Sequence, residues 1–150
     1  MASRGFRIGV DEMSLIWKKK LSRSDAQVPV PHGWPVPYLR LTNSGHIEDT
    51  QVWFRKAFFA NLKWKPGKFG EHAVETAIFK AHVTLPGKAP KSRYLMVTHD
   101  ANRGNTGKNT PNTWIHWDAA TRDELRAGSY AKCEITLKRS TGGQYSISIS

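Results

Sequence analysis

Apolar and polar residues alternate over several short stretches of this chain, and few stretches carry a helical period. The cleanest is Ala77 to Leu85: Ala77, Phe79, Ala81, Val83 and Leu85 share one face, and Lys80, His82 and Thr84 the other. A strand with one buried face shows this two-residue period. Pro86 to Pro90 turns the chain and Tyr94 to Thr98 returns, so the two runs are expected to pair as a hairpin. Ser14 to Leu21 (SLIWKKKL) starts apolar and carries a triple lysine, which reads as a strand emerging into solvent. Tyr38 to Leu41 and Thr113 to Trp117 are further short strands. Ala131 to Lys138 sets Cys133, Ile135 and Leu137 on one face, and the Gly142-Gly143 turn reverses the chain into Tyr145, Ile147 and Ile149.

Two segments have helical spacing. Asp49 or Thr50 can cap a helix running to about Leu62, with Val52, Trp53, Lys56, Phe59 and Ala60 in register and Phe58 and Leu62 widening the stripe. Asp118 or Thr121 caps a second, short helix through Arg126, stopped by Gly128. Ser22 to Pro37 reads first as SRSDAQ and then as VPVPHGWPVP, whose prolines leave only an extended edge segment. Lys63 to His72 (KWKPGKFGEH) reads as a turn or exposed loop. Short strands outnumber helices, so the pattern predicts a mainly β domain, a small barrel with two short helices at its ends. Residues 1–13 form a loose basic lead-in, and 14–150 the domain.

Composition narrows the partners. Lysine and arginine number 23 against 12 acidic residues, a net charge of +11 and a pI near 10.0. Such an excess in one small domain points to a polyanion, nucleic acid before an anionic membrane surface. The single Cys133 excludes an internal disulfide and a cysteine zinc cluster, and fits a reducing compartment. No apolar run has transmembrane length, and MASRGF lacks the core of a signal peptide, so a cytoplasmic location is expected.

Between Thr98 and Thr113 lie about fifteen residues of Asn, Thr, Gly, Arg and Lys without apolar period, longer than most connections in a compact domain. Asn, Arg and Lys pair with base edges and phosphates, so this reads as a recognition loop, against the simpler reading of a solvated one. Asn102, Arg103 and Asn105 are its candidates for base edges; Lys108, Asn109 and Asn112 are its candidates for phosphates. A second candidate surface is Lys18, Lys19, Lys20 and Ser22, for phosphates, with Arg23, Asp25 and Gln27, whose side-chain types read guanine, cytosine and adenine. The alternative for Asp25 is that it holds Arg23 or caps a turn. Arg55, Lys56, Lys63, Lys65 and Lys68 make a third basic patch, equally readable as a solvated face.

Catalytic patterns are scarce. No H-E-x-x-H, nucleophile elbow or phosphate-binding glycine loop occurs, and no metal-ligand cluster or cofactor motif. His99 and His116, at the ends of the long loop, are the one pair that could serve a small metal-independent nuclease as base and acid. A general single-strand or RNA binder using exposed aromatics such as Trp34, Trp64 and Trp114 is the other alternative.

KKLSRSDAQ (Lys19 to Gln27), YLRLT (Tyr38 to Thr42), WFRKAFF (Trp53 to Phe59), ETAIF (Glu75 to Phe79), VTHD and NTWIHW (Asn112 to Trp117) form a series. Together they resemble the C-terminal domain of phospholipase-D-type restriction endonucleases, related in fold to plant B3 transcription-factor domains. The resemblance covers roughly Leu15 to Ile149. It implies a seven-stranded open pseudobarrel with two short helices that grips double-stranded DNA in the major groove between two arms. By position the arms are Lys20 to Gln27 and Asn102 to Asn112. It also implies a prokaryotic restriction-modification setting, with a nuclease domain and a second copy as partners in a longer protein, and no small-molecule substrate. The histidine–lysine motif of the phospholipase-D active site is absent, so recognition without cleavage is expected.

Overall fold

The computed structural model describes residues 14–29, 31, 33, 35–42, 50–101 and 112–150. In chain order the strands are β1 (Leu15–Lys20), β2 (Tyr38–Arg40), β3 (Lys65–Phe69), β4 (His72–Thr84), β5 (Lys91–His99), β6 (Thr113–His116), β7 (Glu134–Arg139) and β8 (Tyr145–Ile149). Seven of them follow the order β1-β7-β8-β4-β5-β6-β2 as a strongly curled, open half-barrel. The predicted mainly β fold with two helices is therefore what the chain adopts. All pairings are antiparallel except β4 with β8. The β4–β5 and β7–β8 hairpins form as expected from the alternation and the turn residues.

Curling brings the two edge strands together without a ladder between them. Trp17 on β1 donates its Nε1–H to the carbonyl of Thr42 (3.1 Å), and Lys19 Nζ donates to the carbonyl of Arg40 (2.9 Å). These side-chain bonds form a seam between β1 and β2. Inside it, Trp17, Leu39, Ala81, Val97, Ile115, Leu137 and Ile147 are buried, one from each of seven strands.

One prediction is corrected at Lys63 to His72. Residues there form β3 and the start of β4, paired in the register Lys65↔Thr76 to Phe69↔His72. The glycines that suggested a loop have strand-specific uses. Gly70 (φ +63°) opens the two-residue turn, where glycine is favoured. A Cβ on Gly67 would stand 2.5 Å from Thr76 Cγ2, so only glycine lets the strands approach there. The β3–β4 hairpin folds over the outer face of β2 and β6, and Phe69 packs on Tyr38, Trp114 and His116 with ring centroids 5.0–5.1 Å apart.

The first helix is also corrected. A single α-helical turn, α1 (Thr50–Trp53), widens into a π-helical stretch, Phe54–Phe58. The Phe59 N–H donates to the Phe54 carbonyl at 2.8 Å, five residues back. That wider turn sets Phe54, Phe58 and Phe59 together in the core, whereas Val52 of the expected stripe is exposed. The terminal carbonyls are satisfied by the C-terminal hairpin: Arg139 Nη1 donates to Ala57 O (2.7 Å) and the Tyr145 hydroxyl to Phe58 O (2.8 Å). Burial pushes the Tyr145 phenol up from its ordinary value.

The second helix, α2 (Ala119–Ala127), has Asp118 as its cap; Asp118 Oδ1 accepts from Thr121 N–H at 3.3 Å. It is tied to β5 by Arg93 to Asp118 and Glu124 and by Lys91 to Glu124, at 2.8–3.4 Å. The Lys91 hydrogen bond is the main reason the Glu124 carboxyl sits below its usual range. No described helix is long and apolar enough to cross a membrane.

Candidate nucleic-acid interface

The segment Ser22 to Val28 leaves β1 and makes one helical turn closed at both ends. Ser22 Oγ accepts from the Asp25 N–H (3.1 Å), as an N-cap does. At the other end Val28 N–H donates to Arg23 O (3.0 Å) and Gln27 N–H to Ser24 O (3.1 Å), with Gln27 at φ +61°. This paired bonding around a left-handed residue is the Schellman closure, with glutamine where glycine is usual.

Closure sorts the predicted contacts into outward and inward ones. Arg23 is exposed on the turn, and Lys18 and Lys20 are exposed on β1. Lys19 shares the face of Trp17 and points inward, where its ammonium meets Asp25 Oδ2 at 2.9 Å as well as the Arg40 carbonyl. Asp25 is 2% exposed and Gln27 fully buried, and Gln27 Nε2 donates to Ser24 O (3.2 Å) and Val36 O (2.8 Å). Asp25 and Gln27 thus have no surface for a base edge, because their polar atoms hold the turn to β1 and to the segment before β2. Asp25 pairs with Lys19 rather than holding Arg23. The Lys19 ammonium is likewise spent on the fold.

The second candidate loop is described only at its root. Asn102, Arg103, Asn105, Lys108 and Asn109 lie outside the described residues, as does the 1–13 lead-in. The Asp100 N–H donates to the Asn112 carbonyl at 2.8 Å, closing the base of the loop. Asn112 is 4% exposed there, so its predicted contact with phosphate gives way to packing at the root.

Between the first arm and the root of the second loop stands Arg40, a residue outside the predicted sites. In Tyr38-Leu39-Arg40-Leu41 the leucines enter the core, so Tyr38 and Arg40 face outward; the alternation in YLRL was the signal. Arg40 Nη2 donates to Ser24 Oγ (3.2 Å), linking β2 to the first arm. Opposite Arg40 on β6 is Trp114. Tyr38, Arg40, Phe69, Gly70, His72, Asp100 and Trp114 line a pocket of about 250 Å³.

The third basic patch is partly neutralised. Arg55 makes a two-point pair with Glu75 (2.9 and 3.1 Å) and lies over the Trp64 ring at 4.6 Å. That hydrogen bond is the first cause of the lowered Glu75 carboxyl pKa. Lys56, Lys63, Lys65 and Lys68 are exposed.

His99 and His116 do not converge. The pairings Met96↔His116 and His99↔Thr113 put them on opposite faces of the sheet. Each bonds a threonine across the strand pair: His99 Nδ1 with Thr113 Oγ1 (2.9 Å), and His116 Nε2 with Thr98 Oγ1 (2.8 Å). Burial lowers both imidazole pKa values. Of the tryptophans named for stacking, Trp114 is buried and Trp64 is partly buried against the core, while Trp34 lies outside the described residues.

Comparison with family models, with curated proteins and with solved structures gives no match for this chain.

Proposed function

We propose that the chain is a B3-like, sequence-specific binder of double-stranded DNA that serves as the target-recognition part of a restriction endonuclease. The observation that carries this reading is the first arm. A rigid capped turn presents Arg23 to solvent from the open seam of a half-barrel, with exposed Lys18 and Lys20 on the strand that feeds it. An exposed guanidinium on a closed turn suits two-point contact with guanine in the major groove, and flanking lysines suit phosphates. Asp100, at the root of the second loop, lines one pocket with Arg40, which bonds the first arm. Binding, not bond cleavage, is the proposed activity, and the family resemblance supports the same reading.

The test is selection of bound duplexes from a random pool at near-physiological salt, followed by two substitutions. A single enriched motif is expected. Arg23→Ala should then lose about 1–3 kcal/mol of discrimination at one base pair, whereas Lys18→Ala weakens all duplexes alike and lowers the salt slope by about one. An unenriched pool, bound only through charge, refutes the proposal.

A further inference from the structure

The pocket beside Arg40 combines an aromatic frame with two charged groups. Three of its walls are aromatic: Tyr38, Phe69 and Trp114. Phe69 meets Tyr38 and Trp114 edge-on at 89° and 75°, so the three rings brace one another. Into this apolar frame come a carboxylate, Asp100, only 8% exposed, and a guanidinium, Arg40. Gly70, left-handed and without a Cβ, forms part of the wall at the hairpin turn. Arg40 is bonded to the first arm through Ser24, and Asp100 closes the root of the second loop, so the pocket shares a residue with each candidate arm.

We infer that this pocket receives a single base rotated out of the DNA duplex, an inference that rests on the DNA-binding reading above. Aromatic walls supply stacking for a flat heterocycle, which every base offers, and such pockets read the flipped base by hydrogen bonds to its pairing edge. Asp100 accepts from an exocyclic amine, and Arg40 donates to the neighbouring ring nitrogen or carbonyl. The class of ligand is therefore an amino-bearing base, and cytosine is the smallest that satisfies both groups. A reader that worked only through the groove would leave the pairing edge of every base inside the duplex.

The experiment uses the duplex enriched in the selection above. Each base in turn is placed opposite an abasic site, which removes the partner it must leave and so lowers the cost of extrusion. At one position the protein is expected to bind about tenfold tighter, and 2-aminopurine next to that position should brighten as its stacking neighbour departs. Tyr38→Leu should abolish the tenfold gain while binding of random duplex and its salt slope stay unchanged, and Asp100→Asn should abolish the gain as well. Sequence-selective binding with no gain and no brightening at any position overturns the base pocket and leaves the DNA reader standing. Absence of selectivity on every duplex overturns both.

Discussion

Lys19 and Asp25 meet where little water reaches, and a buried pair is costly to break and cheap to replace. Lys19→Met should destabilise the fold by about 3–5 kcal/mol by leaving a buried carboxylate alone, whereas the double change Lys19→Met, Asp25→Leu should recover most of that loss. Urea titration of the three variants measures the coupling; equal instability of single and double variants refutes it. Gln27 carries a left-handed backbone together with two buried hydrogen bonds. Gln27→Ala loses the bonds and keeps the strain, about 1–3 kcal/mol; Gln27→Gly loses the bonds but relieves the strain, and should be the more stable of the two. Histidine sets a third residue-scale expectation. Burial depresses the imidazoles of His99 and His116 below 6.5, so the unfolded chain binds protons that the folded chain refuses. Their neutral forms impose no penalty above pH 6.5, and stability should fall as pH drops from 6.5 towards the lowered folded values. The decline should shrink in His99→Gln, read as the urea midpoint against pH. The SRSDAQ stretch shows how much of this was legible: residue types suggested base readers, while Ser22 three residues before Asp25 was the signature of a capped turn. The left-handed glutamine had no sequence signal, since nothing local marks a residue other than glycine for that role.

At the scale of elements, the β3–β4 hairpin is where glycine misled the sequence reading. Pro66, Gly67 and Gly70 hid β3 and its turn, and in β4 the buried Val74 is out of phase with Ala77, Phe79, Ala81 and Val83, so only the half from Ala77 onward was legible. Gly67→Ala should cost about 1–3 kcal/mol, because Thr76 is β-branched and cannot swing its methyl away. Adding Thr76→Ser, which removes that methyl, should restore most of the loss in thermal unfolding. The first helix was legible as a helix and not as a π-helical turn, since its spacing depends on where Arg139 and Tyr145 arrive from the far end of the chain. The second helix was legible to within one residue of its observed end, because its start, Asp118, and its stop, Gly128, are local signals. Of the candidate interface, Arg23 and the outer lysines were legible from type and charge. The outward position of Arg40 was legible in the YLRL alternation, but the aromatic pocket was not, because it assembles from β2, the β3–β4 turn, the end of β5 and β6.

The molecule as a whole is closed by a ladder on one side of β1 and by side-chain bonds on the other. Amide exchange in Leu15–Lys20 should therefore follow that of Glu134–Arg139 and be independent of Tyr38–Arg40. Equal protection changes in β1 and β2 on Trp17→Phe would contradict this division. The pairing of β1 with β7 also has a consequence in time. The first arm is made well before β7, and its anchoring strand finds its ladder only when Glu134 to Arg139 have left the ribosome. On the proposed reading, the domain is thus unable to present its first arm until β7 has emerged. Binding, on that reading, begins as a single event set by the β1–β7 ladder rather than growing with the chain.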